Sequence, residues 1–189
     1  MHLNKIKKLS FVYIFIFLNF MFFLNNKANS NYEKSIYDFS IESIDGDTIE
    51  LSKYRGKAIL LVNVASYCGF TKQYTDLQNL WDKYKDRGLI VLGIPSRSFN
   101  QEKKTEKEVK EFCEVNFDIN FPMTSIIDVK GTNAHEIYKW AHKSYGFSAI
   151  PKWNFHKILI NKKGKVEDTF LSVTNPLSKK LIKKVESIL

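Results

Sequence analysis

A chain of 189 residues with 29 Lys and Arg against 20 Asp and Glu carries a formal net charge of +9, and its length and 44% apolar content fit one domain with a single sizeable core. Four of the basic residues, Lys5, Lys7, Lys8 and Lys27, fall in residues 1–30, which hold no acid, so 31–189 has only a mild basic excess; with no zinc-finger spacing and no nucleic-acid motif, this speaks against a nucleic-acid-binding protein. Two cysteines, Cys68 and Cys113, exclude a disulfide-dense scaffold and leave a single bridge or a redox pair.

In chain order, Lys5, Lys7 and Lys8 precede an apolar run from Leu9 to Leu24 broken by Ser10 and Asn19, and Ala28 and Ser30 follow at small–x–small spacing. This is the pattern of a secretory signal, or of an uncleaved anchor, since the run is near the lower length for a membrane span. Residues 1–30 are therefore expected to send the chain into the secretory pathway, onward to a compartment the sequence does not specify, and 31–189 to form the working domain.

Phe39 and Ile41 alternate with polar residues, Asp45-Gly46 marks a turn, and Ile49 and Leu51 resume, which predicts an N-terminal β-hairpin. Ala58 to Ala65, AILLVNVA, is a central strand buried on both faces. After Ser66 to Thr71, residues Tyr74, Leu77, Leu80, Trp81 and Tyr84 share a helical face, and Gly88 stops the helix. Leu89 to Ile94 is a second buried strand; strand, helix and strand in this order predict a parallel pair. Pro95 to Lys104 is a polar loop. Thr105 and Glu108 form a capping box for a helix whose apolar face carries Val109, Phe112 and Cys113. Asn133 and Glu136 open another helix. Lys157 to Ile160 and Lys165 to Phe170 form a hairpin, and Pro176 opens the C-terminal helix.

Cys68 follows a buried strand and precedes an amphipathic helix. Unpaired N–H groups near a helix start favour a thiolate there, so the position suits a nucleophile, although a small buried cysteine at a turn is the plain alternative. Cys113 shares its helical face with Val109 and Phe112, and an inert core thiol is the ordinary reading of such a residue.

The stretch Leu61 to Thr71, LVNVASYCGFT, resembles the signature of the glutathione peroxidase family. The likeness continues through Leu89 to Gly93, Phe121-Pro122, Asp128 to Gly131, Lys152 to Phe155 and Asn175 to Ser178, essentially the whole chain after the signal. It implies an α/β, thioredoxin-like fold: a central mixed sheet flanked by helices, with the N-terminal β-hairpin. It implies that Cys68 is the peroxidatic thiol and that Trp153 and Asn154 sit beside its sulfur, where an indole N–H and an amide can donate to a thiolate or a peroxide oxygen. Cys113 is similar in position to the resolving cysteine of the non-selenium, two-cysteine branch, in which thioredoxin is the preferred reductant.

The implied activity is a peroxidase that reduces hydrogen peroxide or organic and lipid hydroperoxides in the response to oxidative stress. Cys68 passes through a sulfenic acid to a Cys68–Cys113 disulfide, with no bound cofactor and with an external thiol, thioredoxin or glutathione, as electron source. The short segment before Trp153 implies a monomer, and contact with a membrane is expected only through the N-terminal signal or a lipid hydroperoxide. Two departures stand out. In the loop after Pro95, Ser98 falls where the family's catalytic glutamine is expected, with Lys103-Lys104 replacing Pro-Gly, and Pro151 precedes Lys152-Trp153. Alternatives are a one-cysteine peroxidase recycled by glutathione, and a degenerate peroxide sensor or binding protein. His2, His135, His142 and His156 lack any partner that would make a metal site and read as surface residues.

Overall fold

The computed structural model describes residues 34–189; the signal pattern of residues 1–30 lies outside them. The hairpin pairs β1 (Ser40–Glu42) with β2 (Thr48–Glu50) around Gly46, whose φ of 89° is open to glycine at little cost. The main sheet has the order β4-β3-β5-β6. In it, β3 (Ala58–Val64) runs parallel to β4 (Leu89–Pro95) and antiparallel to β5 (Lys157–Ile160), which pairs antiparallel with β6 (Val166–Phe170). This is the mixed sheet of the thioredoxin-like fold.

Every residue of β3 and β4 is buried, as continuous apolar runs require. Side chains alternate between two cores. Leu60, Val62 and Val64 face α1 (Gln73–Tyr84), α2 (Glu106–Phe117) and α4 (Lys179–Glu186). Ile59 and Leu61 face α3 (Glu136–Tyr145) and the segment around Ile36 and Leu51. Both cysteines belong to the first core.

The capping box forms as the sequence predicts: Thr105 Oγ1 accepts from the Glu108 N–H at 3.3 Å, and the Glu108 carboxylate accepts from the Thr105 N–H at 3.0 Å. Two helix starts differ. His135, not Asn133, caps α3 by accepting from the Ile137 N–H, and α4 begins at Lys179 behind the Ser178 cap rather than at Pro176. A side chain that reaches the free N–H groups outweighs the milder preference that places Asn or Pro nearby. His156 is a further correction: at 2% exposed it is a core residue.

Candidate active site

The chain leaves β3 at Val64 and runs through turns before α1 begins at Gln73. Thr71 closes this loop on itself: its N–H donates to the Cys68 carbonyl at 3.0 Å, and its hydroxyl lies 2.5 Å from that oxygen and 3.1 Å from the Ala65 carbonyl. Cys68 is a free, buried thiol, 6% exposed, and the Phe70 N–H points at its sulfur at 3.5 Å. The donor facing the sulfur therefore belongs to the turn, not to the first turn of α1.

A second loop is bonded to the first. The Tyr67 N–H donates to the Gln101 carbonyl at 2.9 Å, and the Ser66 N–H donates to the Glu102 carboxylate at 3.0 Å. Asn100, at φ 56°, turns the chain so that Gln101 and Glu102 both face inward. Glu102 is buried, and burial pushes its carboxyl above the ordinary range against the lowering pull of Ser66 and Lys103.

The third loop carries Trp153 and Asn154. The Asn154 amide is fully buried and donates to Gln101 Oε1 at 2.9 Å. Trp153 stays 42% exposed, with its ring 5.3 Å from that of Phe99, over which the Lys130 ammonium sits at 4.2 Å. Pro151, the departure just before this loop, is buried, and both contacts stand beside it. Phe155 holds φ 62°, a conformation that a bulky residue adopts at a cost of about 1–3 kcal/mol and that concentrates at functional sites.

Ser98 is not in this group. Its hydroxyl is 3.2 Å from the Asp128 carboxylate, accepts from the Val129 N–H at 3.0 Å and lies 3.1 Å from the Ser96 hydroxyl. The side chain that meets Asn154 is Gln101. Ser98, expected in the glutamine's place, does not meet Asn154, whereas Gln101 does; the bonds of 101 and 102 to 66 and 67 hold the loop in this register, which no local pattern in Pro95 to Lys104 reveals.

Buried polar atoms without a hydrogen-bond partner among the described residues gather here: Asn154 Oδ1, Asn63 Oδ1 and Glu102 Oε2. Such atoms are rare in folded proteins and call for an explanation.

Cys113 lies in α2, 1% exposed and free. Burial pushes its thiol up to about 12; the Tyr74 phenol opposes this, while Glu102 and Glu114 add to it. Tyr74 is in turn raised well above its ordinary value by burial first, then by Cys113, Glu102 and Cys68, so this phenol stands within electrostatic reach of both thiols. The helix is fastened by few fully buried side chains, Val109 and Cys113, with Phe112 and Phe117 packed half-buried against the core. A cavity of about 330 Å³ opens beside it, lined by Asp45, Lys110, Cys113, Glu114, Ile119 and Phe121 among others. The Lys103 ammonium lies 4.9 Å from the Tyr67 ring centre and 5.3 Å from that of Phe112, bridging the Cys68 loop and α2. Among the described residues no group of three or more His, Cys, Asp and Glu side chains is placed to hold a metal.

The family model described as glutathione peroxidase matches residues 36–142. The chain is 39% identical over 160 residues to glutathione peroxidase-like peroxiredoxin 2 of Saccharomyces cerevisiae, covering 82% of this chain and 97% of that protein. It is 39% identical over 151 residues to the hydroperoxy fatty acid reductase gpx1 of a Synechocystis species, covering 75% and 89%. The crystal structure of GPX1 from T. cruzi superposes with a TM-score of 0.64 at 32% identity, covering 82% of this chain and 96% of that one.

Proposed function

Since the chain belongs to the glutathione peroxidase family of oxidoreductases, we propose that it is a two-cysteine thiol peroxidase in which Cys68 is oxidised, Cys113 resolves and thioredoxin restores the dithiol. The observation that supports this most directly is the amide pair Asn154–Gln101, held to the Cys68 loop by the Tyr67 bond to the Gln101 carbonyl.

In the first step the Cys68 thiolate attacks one peroxide oxygen. The O–O bond breaks, an S–O bond forms, and the departing oxygen takes a proton to leave as water or an alcohol, with Cys68 as a sulfenic acid. The side chains of Gln101, Asn154 and Trp153 supply N–H donors to the oxygens as charge develops, a contribution of a few kcal/mol for each well-placed donor. In the second step the Cys113 sulfur displaces the hydroxyl as water and the S–S bond closes.

With a pKa of about 12, only about one Cys113 in 10⁵ is a thiolate at neutral pH while α2 is packed. The helix therefore opens before Cys113 reacts, and its few fully buried side chains suit local opening. An external dithiol, here thioredoxin, then reduces the bridge by exchange. The motive for a degenerate sensor was a missing glutamine, and Gln101 removes that motive.

The substrates are hydrogen peroxide or organic and lipid hydroperoxides, met in the response to oxidative stress. We place the working protein, residues 31–189, as a monomer delivered through the secretory pathway by the N-terminal signal, with a membrane engaged only by that signal or a lipid hydroperoxide.

Peroxide consumption with thioredoxin, and separately with glutathione, tests the scheme in the wild type, Cys68→Ser, Cys113→Ser, Gln101→Ala and Ser98→Ala. Thioredoxin-driven turnover is expected to vanish in both cysteine variants, to fall about 10²-fold in Gln101→Ala and to stay near wild type in Ser98→Ala. Full turnover of Cys113→Ser with glutathione would instead establish a one-cysteine cycle, and a normal Gln101→Ala would remove the glutamine from the mechanism.

A further inference from the structure

Asn63 is the one polar residue in the fully buried strand β3. It is completely inaccessible, and its Oδ1 has no hydrogen-bond partner among the described residues. A buried amide with an orphaned oxygen costs stability unless something else requires it.

Its other three polar groups are all spent on one short segment. The Asn63 side-chain Nδ2 donates to the Trp153 carbonyl at 3.1 Å. The Asn63 carbonyl accepts from the Phe155 N–H at 2.5 Å, and the Asn63 N–H donates to the His156 carbonyl at 3.3 Å. These bonds straddle Asn154. They grip residues 153, 155 and 156, including the left-handed Phe155, whose φ is 62°. Beyond the register Val62↔Lys157 the strand pairing would ordinarily end or splay. The Asn63 backbone continues the bonding to Phe155 and His156, and its amide extends it to the Trp153 carbonyl, in the tight turn from which both Trp153 and Asn154 project. An apolar residue at 63 would keep the two backbone bonds and lose the one to Trp153.

We propose that Asn63 is a positioning residue of the peroxidase site: through the Trp153 carbonyl it fixes the attitude of the indole and of the Asn154 amide toward Cys68. This rests on the roles proposed above for Trp153 and Asn154. It goes further in assigning the turn's geometry to a side chain in the central strand that never touches the peroxide.

The test is the second-order rate of Cys68 oxidation by hydrogen peroxide, followed by stopped-flow fluorescence in Asn63→Leu, Asn63→Thr, Trp153→Phe and the double variant Asn63→Leu/Trp153→Phe, with urea midpoints measured on each. Asn63→Leu is nearly isosteric and removes the orphaned oxygen, so its urea midpoint is expected at or above that of the wild type. Its oxidation rate is expected to fall between about tenfold and 10²-fold, the scale of a misplaced catalytic group. Asn63→Thr, which suits a strand, gives the same reading should the leucine fail to pack. In the double variant the losses should not multiply, because both changes disable one unit.

A wild-type rate in Asn63→Leu or Asn63→Thr, alongside a slow Trp153→Phe, would overturn the proposal, as would losses that multiply in the double variant. A wild-type rate in Trp153→Phe would count against the role proposed for the indole. In that case a slow Asn63→Leu would have to match Asn154→Ala, and a mismatch there overturns the assignment too.

Discussion

Lowering the pH should unfold this protein through His156. The imidazole is 2% exposed and neither ring nitrogen finds a hydrogen-bond partner of good geometry among the described residues. Burial, then the positive charges of Lys157 and Lys152, push its pKa down to about 4 from the ordinary 6.5, with the Ser148 backbone opposing weakly. The unfolded chain takes up the proton near 6.5 while the folded chain refuses it until about 4. Stability is therefore complete above the unfolded value and is lost as pH falls through the interval between the two. At 1.36 kcal/mol per unit the whole interval amounts to about 3 kcal/mol, a large share of a typical folding free energy. The measurement is urea unfolding of wild type and His156→Phe from about pH 7.5 down to about pH 4.5. Carboxylates held low, such as Asp38 and Asp82, titrate in both proteins and cancel in the difference. The advantage of the phenylalanine variant should grow steadily as the pH drops. Parallel curves over that range would refute the reasoning, since they would mean that the ring is solvated or paired.

Three further outcomes follow from the same structure. Glu102→Gln keeps an oxygen for the Ser66 N–H and removes a buried charge whose pKa burial has raised, so the variant should be at least as stable as wild type at neutral pH, with the gap closing once both states are protonated below about pH 4; lower stability at neutral pH and none at acid pH would show that the charge itself is needed. Lys103→Gln should speed closure of the Cys68–Cys113 disulfide after a single peroxide addition and leave Cys68 oxidation unchanged, because the ammonium between Tyr67 and Phe112 ties α2 to the Cys68 loop; slower closure would make the lysine a guide rather than a tie. Closure should also accelerate about tenfold per pH unit with no plateau near 8.5, and accelerate in mild urea, because the reactive species is the thiolate of an opened helix whose packed form holds its proton to about 12. A plateau near 8.5 would mean that Cys113 is already free of its pocket in the oxidised enzyme.

Where the sequence carried its own local physics, the structure was legible in advance. The apolar run from Ala58, the turn at Gly46, the Thr105–Glu108 box and the hairpin from Lys157 to Phe170 each depend on neighbours a few residues away, and each forms. The site was legible in part. Cys68, Trp153 and Asn154 stand out by family likeness, and the structure brings the Asn154 amide against the loop bonded to that of Cys68. The place of Gln101 is not legible locally, because the loop from Pro95 to Lys104 has no periodicity to fix its register; the bonds to Ser66 and Tyr67, more than thirty residues away, hold it there. Lys103 read as a lost Pro-Gly, and its place between two aromatic rings depends on α2 packing beside it. His156 read as a surface residue because no metal partner stood near it in the sequence; it lies just ahead of β5, and its burial comes from the strands that gather there. Nothing local distinguishes Asn63 from a strand residue of middling polarity. Its meaning comes from β5 arriving antiparallel ninety residues later.

The two thiols occupy different physical settings within one core, and in the proposed cycle this difference would order the two steps. Cys68 sits on a loop with an N–H aimed at its sulfur, and that loop is bonded to the one carrying Gln101, which meets the Asn154 amide. Rigidity there serves peroxide attack, because donors must already stand where charge will develop. Cys113 is enclosed by burial and two carboxylates that favour the neutral thiol, with the Tyr74 phenol opposing them, on a helix with two buried side chains and a cavity at its flank. In the proposed cycle, looseness there would serve the second step, since the thiol would become a nucleophile once its helix opens. If Cys113 were as exposed and activated as a catalytic cysteine, the resting enzyme would close its disulfide whenever any oxidant reached either sulfur. In the proposed cycle, a second thiol held protonated until the helix opens would make closure follow peroxide reduction, and control of that step would lie in the fastenings of α2, among them Val109, Lys103 and the Asp45–Lys110 ion pair.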